Sequence, residues 1–252
     1  MRIKILASGS KGNCTLVRTE KSNILIDMGV TYQYLCTELD NIGLTPKDLD
    51  YIFITHTHSD HIKGLASLIK KNSIKVYILE EMEEEIKKFI PLENINYYTN
   101  PLELEELKIE LIRISHDVDG VGFIMEYNND SFVYITDTGY INKKYFPLMK
   151  NKNLYIIESN HDEEMLMEGP YPYILKQRVI SDHGHLSNTT TANYLKEIVG
   201  NRTKKIVLAH ISENNNTPEL AVETVKSVLK ENGIEKEIIP AKQYESLEEI
   251  EV

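Results

Sequence analysis

Cysteine is scarce in this sequence: only Cys14 and Cys36 occur among 252 residues. Two thiols are too few for a disulfide framework, and free thiols in a reducing cytoplasm are the expectation. Long apolar runs are missing as well. The first residues, MRIKILASGS, lack the apolar core of a secretory signal, and no stretch approaches a membrane span. A cytoplasmic protein without membrane contact is therefore expected. Positive charge is in deficit, with 28 Lys and Arg against 39 Asp and Glu and a net charge of −11. That balance counts against a nucleic-acid binder, which ordinarily displays a basic surface. Part of the excess is local, in Glu80, Glu81, Glu83, Glu84 and Glu85 and in the closing ESLEEIEV, and these read as solvated faces. Divalent cations bound by the chain would add positive charge where a phosphate must sit. Linkers, low-complexity segments and fixed-period repeats are absent. So is the Gly-Lys-Ser/Thr order of a phosphate-binding P-loop, although Ser8-Gly9-Ser10-Lys11-Gly12-Asn13 follows the first apolar strand.

What is present is a globular composition, 41% apolar and 27% charged, long enough for one large domain or two small ones. The chemistry concentrates in Tyr51 to Gly64, YIFITHTHSDHIKG, where an apolar strand runs into His56, His58, Asp60 and His61. Chance would place such a pattern in a chain of this composition about 0.0003 times. Imidazole nitrogen and carboxylate oxygen are the ligand set of zinc, manganese and iron, so a metal site is the reading that fits.

Further along, the texture alternates between strands and helices covering both faces of a sheet. Strands are expected at 3–7, 14–18, 23–26, 51–55, 75–79, 107–115, 122–127, 131–136, 154–158, 205–209 and 235–239. Helices are expected at 32–41, 62–71, 82–90, 189–199 and 218–230. His56, His116, Asp137 and His210 each stand just past an apolar strand, and strand ends on one sheet edge converge in space. Asp27, also at a strand end, is open to two readings: a turn former before Met28-Gly29, or a support for nearby imidazoles.

In order along the chain, Asp27, His56/His58/Asp60/His61, His116, Asp137 and His210 resemble the pattern of the metallo-β-lactamase fold superfamily. The segments ASGSKGNC (7–14), ESNHDEEML (158–166), GPYPYILKQR (169–178), GHLSN (184–188) and LAHISENNNTPELA (208–221) narrow the resemblance to YycJ/WalJ-type metallohydrolases. The resemblance implies an α/β four-layer αββα sandwich with mixed sheets and the metals at one edge. It also implies a single domain over 1–252, too short for a β-CASP insertion. Carried over by residue, His56, His58 and His116 would bind one divalent ion. Asp60, His61 and His210 would bind a second, Asp137 would bridge them, and Asp27 would orient a ligand. Zinc suits His-rich ligation and manganese the oxygen-containing site, with iron a further option, so sequence leaves the metal open.

A nucleophilic hydroxide held between two such ions is the implied mechanism, with Asp60 among the catalytic groups. His161, His183 and His185 remain unassigned, all on loops after apolar strands. His185 in GHLSN is the first choice for phosphate contact or general acid. The competing reading is a helix start capped by Ser187 or Asn188. His161 is taken as a catalytic or substrate group. Ser10, Lys11, Asn13, Asn160 and Ser187 are candidate substrate contacts, and Lys176, Gln177 and Arg178 are candidates for the nucleic-acid backbone. The family implies a phosphodiesterase acting on nucleic acid, specifically a 5′–3′ DNA exonuclease. A hydrolase of thioesters, lactones or cyclic phosphodiesters is the alternative, favoured by the acidic charge. A binding protein with a relic site is disfavoured by the intact ligand set.

Overall fold

A computed structural model describes residues 1–252. The first half supplies strands β1 (Arg2–Ala7), β2 (Cys14–Arg18), β3 (Asn23–Ile26), β4 (Tyr51–Phe53), β5 (Lys75–Ile78) and β6 (Ile95–Tyr97). The second supplies β7 (Leu102–Leu104), β8 (Leu107–Arg113), β9 (Val121–Tyr127), β10 (Asp130–Ile135), β11 (Leu154–Glu158), β12 (Lys205–Ala209) and β13 (Glu237–Pro240). A last strand, β14 (Ile250–Glu251), returns to the first sheet beside β1. Each sheet has seven strands, in the orders β14-β1-β2-β3-β4-β5-β6 and β13-β12-β11-β10-β9-β8-β7. Both are mixed: β3 to β6 and β10 to β13 pair in parallel, and the remaining neighbours are antiparallel.

Helices α1 (Tyr32–Asp40), α2 (Ser59–Ile62), α3 (Leu65–Ile69) and α4 (Glu83–Ile86) belong to the first half. Helices α5 (Phe146–Met149), α6 (Glu163–Glu168), α7 (Tyr173–Ile180), α8 (Asn188–Ile198) and α9 (Pro218–Glu231) belong to the second. The parallel strands of the second sheet are apolar without interruption because both of their faces are buried. On β10, Phe132 and Tyr134 point into the core shared with the first sheet, while Val133 and Ile135 pack toward the helices. The same alternation runs through Leu154 to Ile157 and Ile206 to Ala209. Between the sheets, Phe53 on β4 meets Phe123 on β9 with ring centroids 5.9 Å apart. Leu195 and Ile198 of α8 and Val225 and Leu229 of α9 close the outer face of the second sheet. Leu35, Leu65, Leu68 and Ile86 of α1, α3 and α4 join the core of the first. The result is the αββα sandwich.

Helix starts follow capping chemistry. Thr31, Ser187 and Thr217 each accept a hydrogen bond from a first-turn amide of α1, α8 and α9, and Pro218 opens α9. Two expected helices differ, and two helices form where none is expected. The helix expected at 62–71 is two short helices, α2 and α3, with Gly64 between them. A Cβ on Gly64 would lie 2.1 Å from the Val30 carbonyl, so the chain must pass close here rather than wind on. The helix expected at 82–90 is a 3₁₀ turn at Glu80–Met82 followed by α4. Helices α6 and α7 form where no helix is expected: the Asp162 side chain caps α6, and Pro172 precedes α7.

Gly29 fixes how the early loop meets the His-rich segment. A Cβ there would stand 1.6 Å from the Asp60 carbonyl oxygen, which already accepts from Asn13 N at 2.8 Å. Gly29→Ala is therefore expected to lower unfolding stability by about 3 kcal/mol or more and to weaken metal binding with it. Gly43→Ala, at a left-handed turn with nothing within 4 Å, should cost about 1–2 kcal/mol and leave metal binding alone. Urea unfolding and metal titration of the two variants check the contrast.

Candidate metal centre

The site lies where strand ends of the two sheets meet. Asp27 follows β3, fully buried, with a left-handed φ of 63°. Its carboxylate accepts from Thr55 N and Thr55 Oγ1, each at 2.8 Å, and lies 2.7 Å from His61 Nδ1. Burial pushes the Asp27 carboxyl up, against the opposing pull of His61 and Thr55. For His61, burial alone would lower the imidazole, but Asp27 and Asp137 override it and raise it well above the ordinary range. Asp27 thus bonds His61 at Nδ1, the contact that a support for nearby imidazoles would make, and Nε2 of the ring faces Asp60 and Asp137.

After β4 the chain delivers His56 and His58, and α2 carries Asp60 and His61. His58 Nδ1 is 3.2 Å from His56 Nε2 and 3.3 Å from His116 Nε2, so three imidazole nitrogens face one point. Burial lowers both His56 and His116 and keeps them neutral, the form that ligates metal. A second convergence adjoins the first. His61 Nε2 is 3.5 Å from Asp60 Oδ2 and 3.2 Å from Asp137 Oδ2, while His210 Nε2 is 3.4 Å from Asp137 Oδ1 and 3.8 Å from Asp60 Oδ2. Donors of His56, His58 and His116 fall within 4.8 Å of one another, as do those of Asp60, His61 and His210, and those of His56, His61 and Asp137. Asp137 thus lies between the two triplets.

Whether these residues suit a metal can be tested on their own bonding. Asp137 Oδ2 and His210 Nε2 are buried and have no hydrogen-bond partner. Two orphaned donor atoms aimed into a cluster of carboxylates and imidazoles are costly in a protein interior unless a cation satisfies them. Neutral imidazole nitrogens with carboxylate oxygens match the donor preferences of divalent cations.

Glu158, at the end of β11, is the residue that motif reading missed as part of the site. Oε1 lies 2.8 Å from His185 Nδ1 and 3.0 Å from His210 Nδ1, while Oε2 accepts from Thr138 N and Leu186 N, both at 3.1 Å. Burial opposes its ionisation, but His185 and the His210 hydrogen bond hold it down to about 2. His210 is in turn raised to about 10, with Asp137, Asp60 and Glu158 overcoming burial. The strand-end rule that singled out His56 and Asp137 applies equally to Glu158.

A cavity of about 220 Å³ opens over the cluster, lined in part by Ser10, Asn160, Tyr171, Arg178, His185 and His210. Asn160 donates to the His210 carbonyl at 2.9 Å. Asn13 is buried beneath the cluster, its Nδ2 2.9 Å from His61 Nε2, and it does not line the cavity, unlike the substrate contact expected of it. Lys11 pairs with Glu213 at 2.5 Å, Lys176 donates to the Met167 carbonyl at 2.6 Å, and Arg178 pairs with Asp117. His161 and Ser187 line a second cavity of about 290 Å³ that shares His185 with the first. Ser187 Oγ caps α8 and lies 2.8 Å from Glu163 Oε1. Burial lowers His161 to about 4, and its Nδ1 has no partner. No helix is long and apolar enough to cross a membrane.

A two-sheet sandwich with these donors at one edge is the architecture of the metallo-β-lactamase fold. Residues 22–211 match the family model described as a beta-lactamase superfamily domain, and the chain belongs to that superfamily. Among curated relatives it is similar to exodeoxyribonuclease WalJ of Streptococcus pneumoniae serotype 2, 38% identical over 90% of this chain and 88% of that protein. It is likewise similar to exodeoxyribonuclease YycJ of Bacillus anthracis, 35% identical over 92% and 90%. Among solved structures, the metallo-beta-lactamase fold protein YhfI of Bacillus subtilis aligns with a TM-score of 0.76 at 16% identity, covering 98% of this chain and 99% of that one.

Titrating metal-stripped protein with Zn²⁺ or Mn²⁺ should raise its Tm in a concentration-dependent way, by the equivalent of about 4 kcal/mol at a thousand times Kd. A chelator should reverse the shift, and His116→Ala should diminish it. An unchanged Tm for the unsubstituted chain would remove the metal centre.

Proposed function

We propose that the chain is a binuclear metal-dependent phosphodiesterase, a 5′–3′ DNA exonuclease, acting as one domain over residues 1–252. The observation that carries this reading is the pair of donor triplets meeting at Asp137. The exodeoxyribonuclease relatives, aligned over nine-tenths of the chain, supply the substrate class. His56, His58 and His116 would hold one divalent ion, and Asp60, His61 and His210 a second, with Asp137 shared. Zinc and manganese are the expected occupants, and iron also fits the donor set. Bound there, the ions supply a water nucleophile at neutral pH and positive charge against the scissile phosphate.

The protein groups do the rest. The Glu158 carboxylate accepts a hydrogen bond from His185 Nδ1–H, which turns Nε2 of the ring toward the cavity. In the doubly protonated ring, whose positive charge the Glu158 carboxylate offsets, Nε2–H donates to a phosphate oxygen or gives its proton to the leaving oxygen, and the ring is left neutral with its remaining proton on Nδ1. His161, held neutral by burial, acts as a hydrogen-bonding group rather than as a cationic acid. Ser10 and Asn160 flank the phosphate at the cavity wall, Asn13 steadies Asp60 and His61 from below, and Ser187 holds the loop that carries His185. Lys11 reaches a nucleic-acid backbone only by leaving Glu213. The net charge of −11 favours the alternative, a hydrolase of small thioesters, lactones or cyclic phosphodiesters on the same centre.

One assay separates the readings. Purified protein with Mn²⁺ or Zn²⁺ is incubated with 5′- and 3′-end-labelled single- and double-stranded DNA, with RNA, and with a thioester and lactone panel. Release of labelled mononucleotide from 5′-labelled DNA is expected; turnover of thioesters or lactones alone would overturn the proposal. In the same assay His185→Ala should retain its metals by elemental analysis and lose about a hundredfold or more in turnover. Unchanged turnover would remove His185 from the mechanism.

A further inference from the structure

One carboxylate near the cluster has no place in that scheme. Asp117 follows His116 directly and is partly exposed, with its Oδ1 3.0 Å from His58 Nε2 and 3.5 Å from His116 Nε2. Its other oxygen accepts from Arg178. A neutral imidazole has one N–H and one lone pair, and which nitrogen carries the proton is set by the partner of the other. His58 turns Nδ1 toward His56 and His116, so the lone pair belongs on Nδ1 and the proton on Nε2. Asp117 stands where that proton is accepted. Carboxylates in this relation to a ligating histidine orient the ring and raise its basicity.

His116 is held in the same manner from the same direction. Its Nδ1 lies 3.1 Å from the His183 carbonyl oxygen, and His183 Nδ1 lies 3.2 Å from the His116 carbonyl. Arg178 and His183 both belong to the stretch from Tyr173 to Gly184, made of α7 and the turn after it. Leu175, Arg178, Val179 and His183 of that stretch also wall the cavity. Of the three imidazoles in the first triplet, only His56 takes its outer contact elsewhere, with Nδ1 3.1 Å from Thr55 Oγ1.

We infer that Asp117 is a positioning residue for His58, and that Arg178–Asp117–His58 together with His183–His116 couples the cavity wall at 173–184 to the first metal site. The coupling is reciprocal: a seated wall strengthens metal binding there, and a bound metal holds the wall in place. The inference rests on the proposed reading of His56, His58 and His116 as ligands, and it gives Arg178 a partner within the protein rather than a phosphate.

The test measures metal binding rather than turnover. Metal-stripped protein is titrated with Zn²⁺ against a chromogenic chelator, resolving the two sites, for the unsubstituted chain and for Asp117→Ala, Asp117→Asn, Arg178→Ala, the Asp117→Ala/Arg178→Ala double variant and His58→Ala. Asp117→Ala should weaken one site by about 10- to 100-fold and leave the other unchanged. Asp117→Asn, whose amide oxygen still accepts from Nε2–H, should recover part of the loss. Arg178→Ala should cost less than Asp117→Ala, and the double variant should be no weaker than Asp117→Ala alone, because Arg178 acts through Asp117. Hydrogen exchange over 173–184 should slow on metal addition in the unsubstituted chain and respond less in Arg178→Ala. Asp117→Ala and Asp117→Asn both binding as tightly as the unsubstituted chain would overturn the inference while His58→Ala loses a site. His58→Ala binding normally would instead overturn the reading of the centre on which it rests.

Discussion

A carboxylate removed from water is tolerated only when its oxygens are filled, and Asp27 meets that condition with partners from two other parts of the chain. Two come from the single residue Thr55, past β4, and the third is His61 on α2. Leaving such a group unpaired would cost several kcal/mol. The end of β3, the end of β4 and the first turn of α2 are therefore fixed together before any ligand is considered. Gly29 allows the loop after Asp27 to lie against the Asp60 backbone, and Asn13 ties the first turn of the chain to the same place. The second sheet meets this platform with Asp137, Glu158 and His210 at three consecutive strand ends. Glu158 does on that side what Asp27 does on the first, holding His185 and His210 by their Nδ1 atoms.

Much of this arrangement was legible in the residues. β11 and β12 begin and end where short uninterrupted apolar runs predict, because strands buried on both faces are apolar throughout. The His-x-His-x-Asp-His run, the later His116, Asp137 and His210, and the sandwich they imply are visible in order along the chain. The segment from 162 to 184 was not. Pro170 and Pro172 argue against a continuous helix, yet a proline just before a helix only limits where it begins, and α7 starts immediately after Pro172. Its apolar residues are divided between the cavity side and solvent, with Tyr173 and Ile174 exposed, so no buried stripe announces a helix.

Charged side chains were harder still. Lys11, Lys176 and Arg178 look like free cations in one dimension, but each has a partner far along the chain or on the backbone. Asp117 looks like an ordinary surface acid until His58 is placed beside it. A linear pattern reports which groups can ligate; it does not report which groups hold the ligands still, because those contacts span from one residue to more than sixty. Glu158 is the intermediate case, since its strand-end position was on view but its neighbours were not.

Three residues of the centre, Asp27, Asp137 and His210, have left-handed backbones, with φ of 63°, 57° and 53°. Each strand turns sharply at its last step to aim a side chain across the sheet edge. Aspartate and asparagine accept that conformation with little penalty, whereas β-branched residues resist it strongly. The turn therefore acts as a filter on the amino acids these positions can hold, independent of what they bind. Redesigning the centre for another donor chemistry would have a narrow alphabet at all three corners, and a valine or threonine there would distort the strand end before it altered any ion.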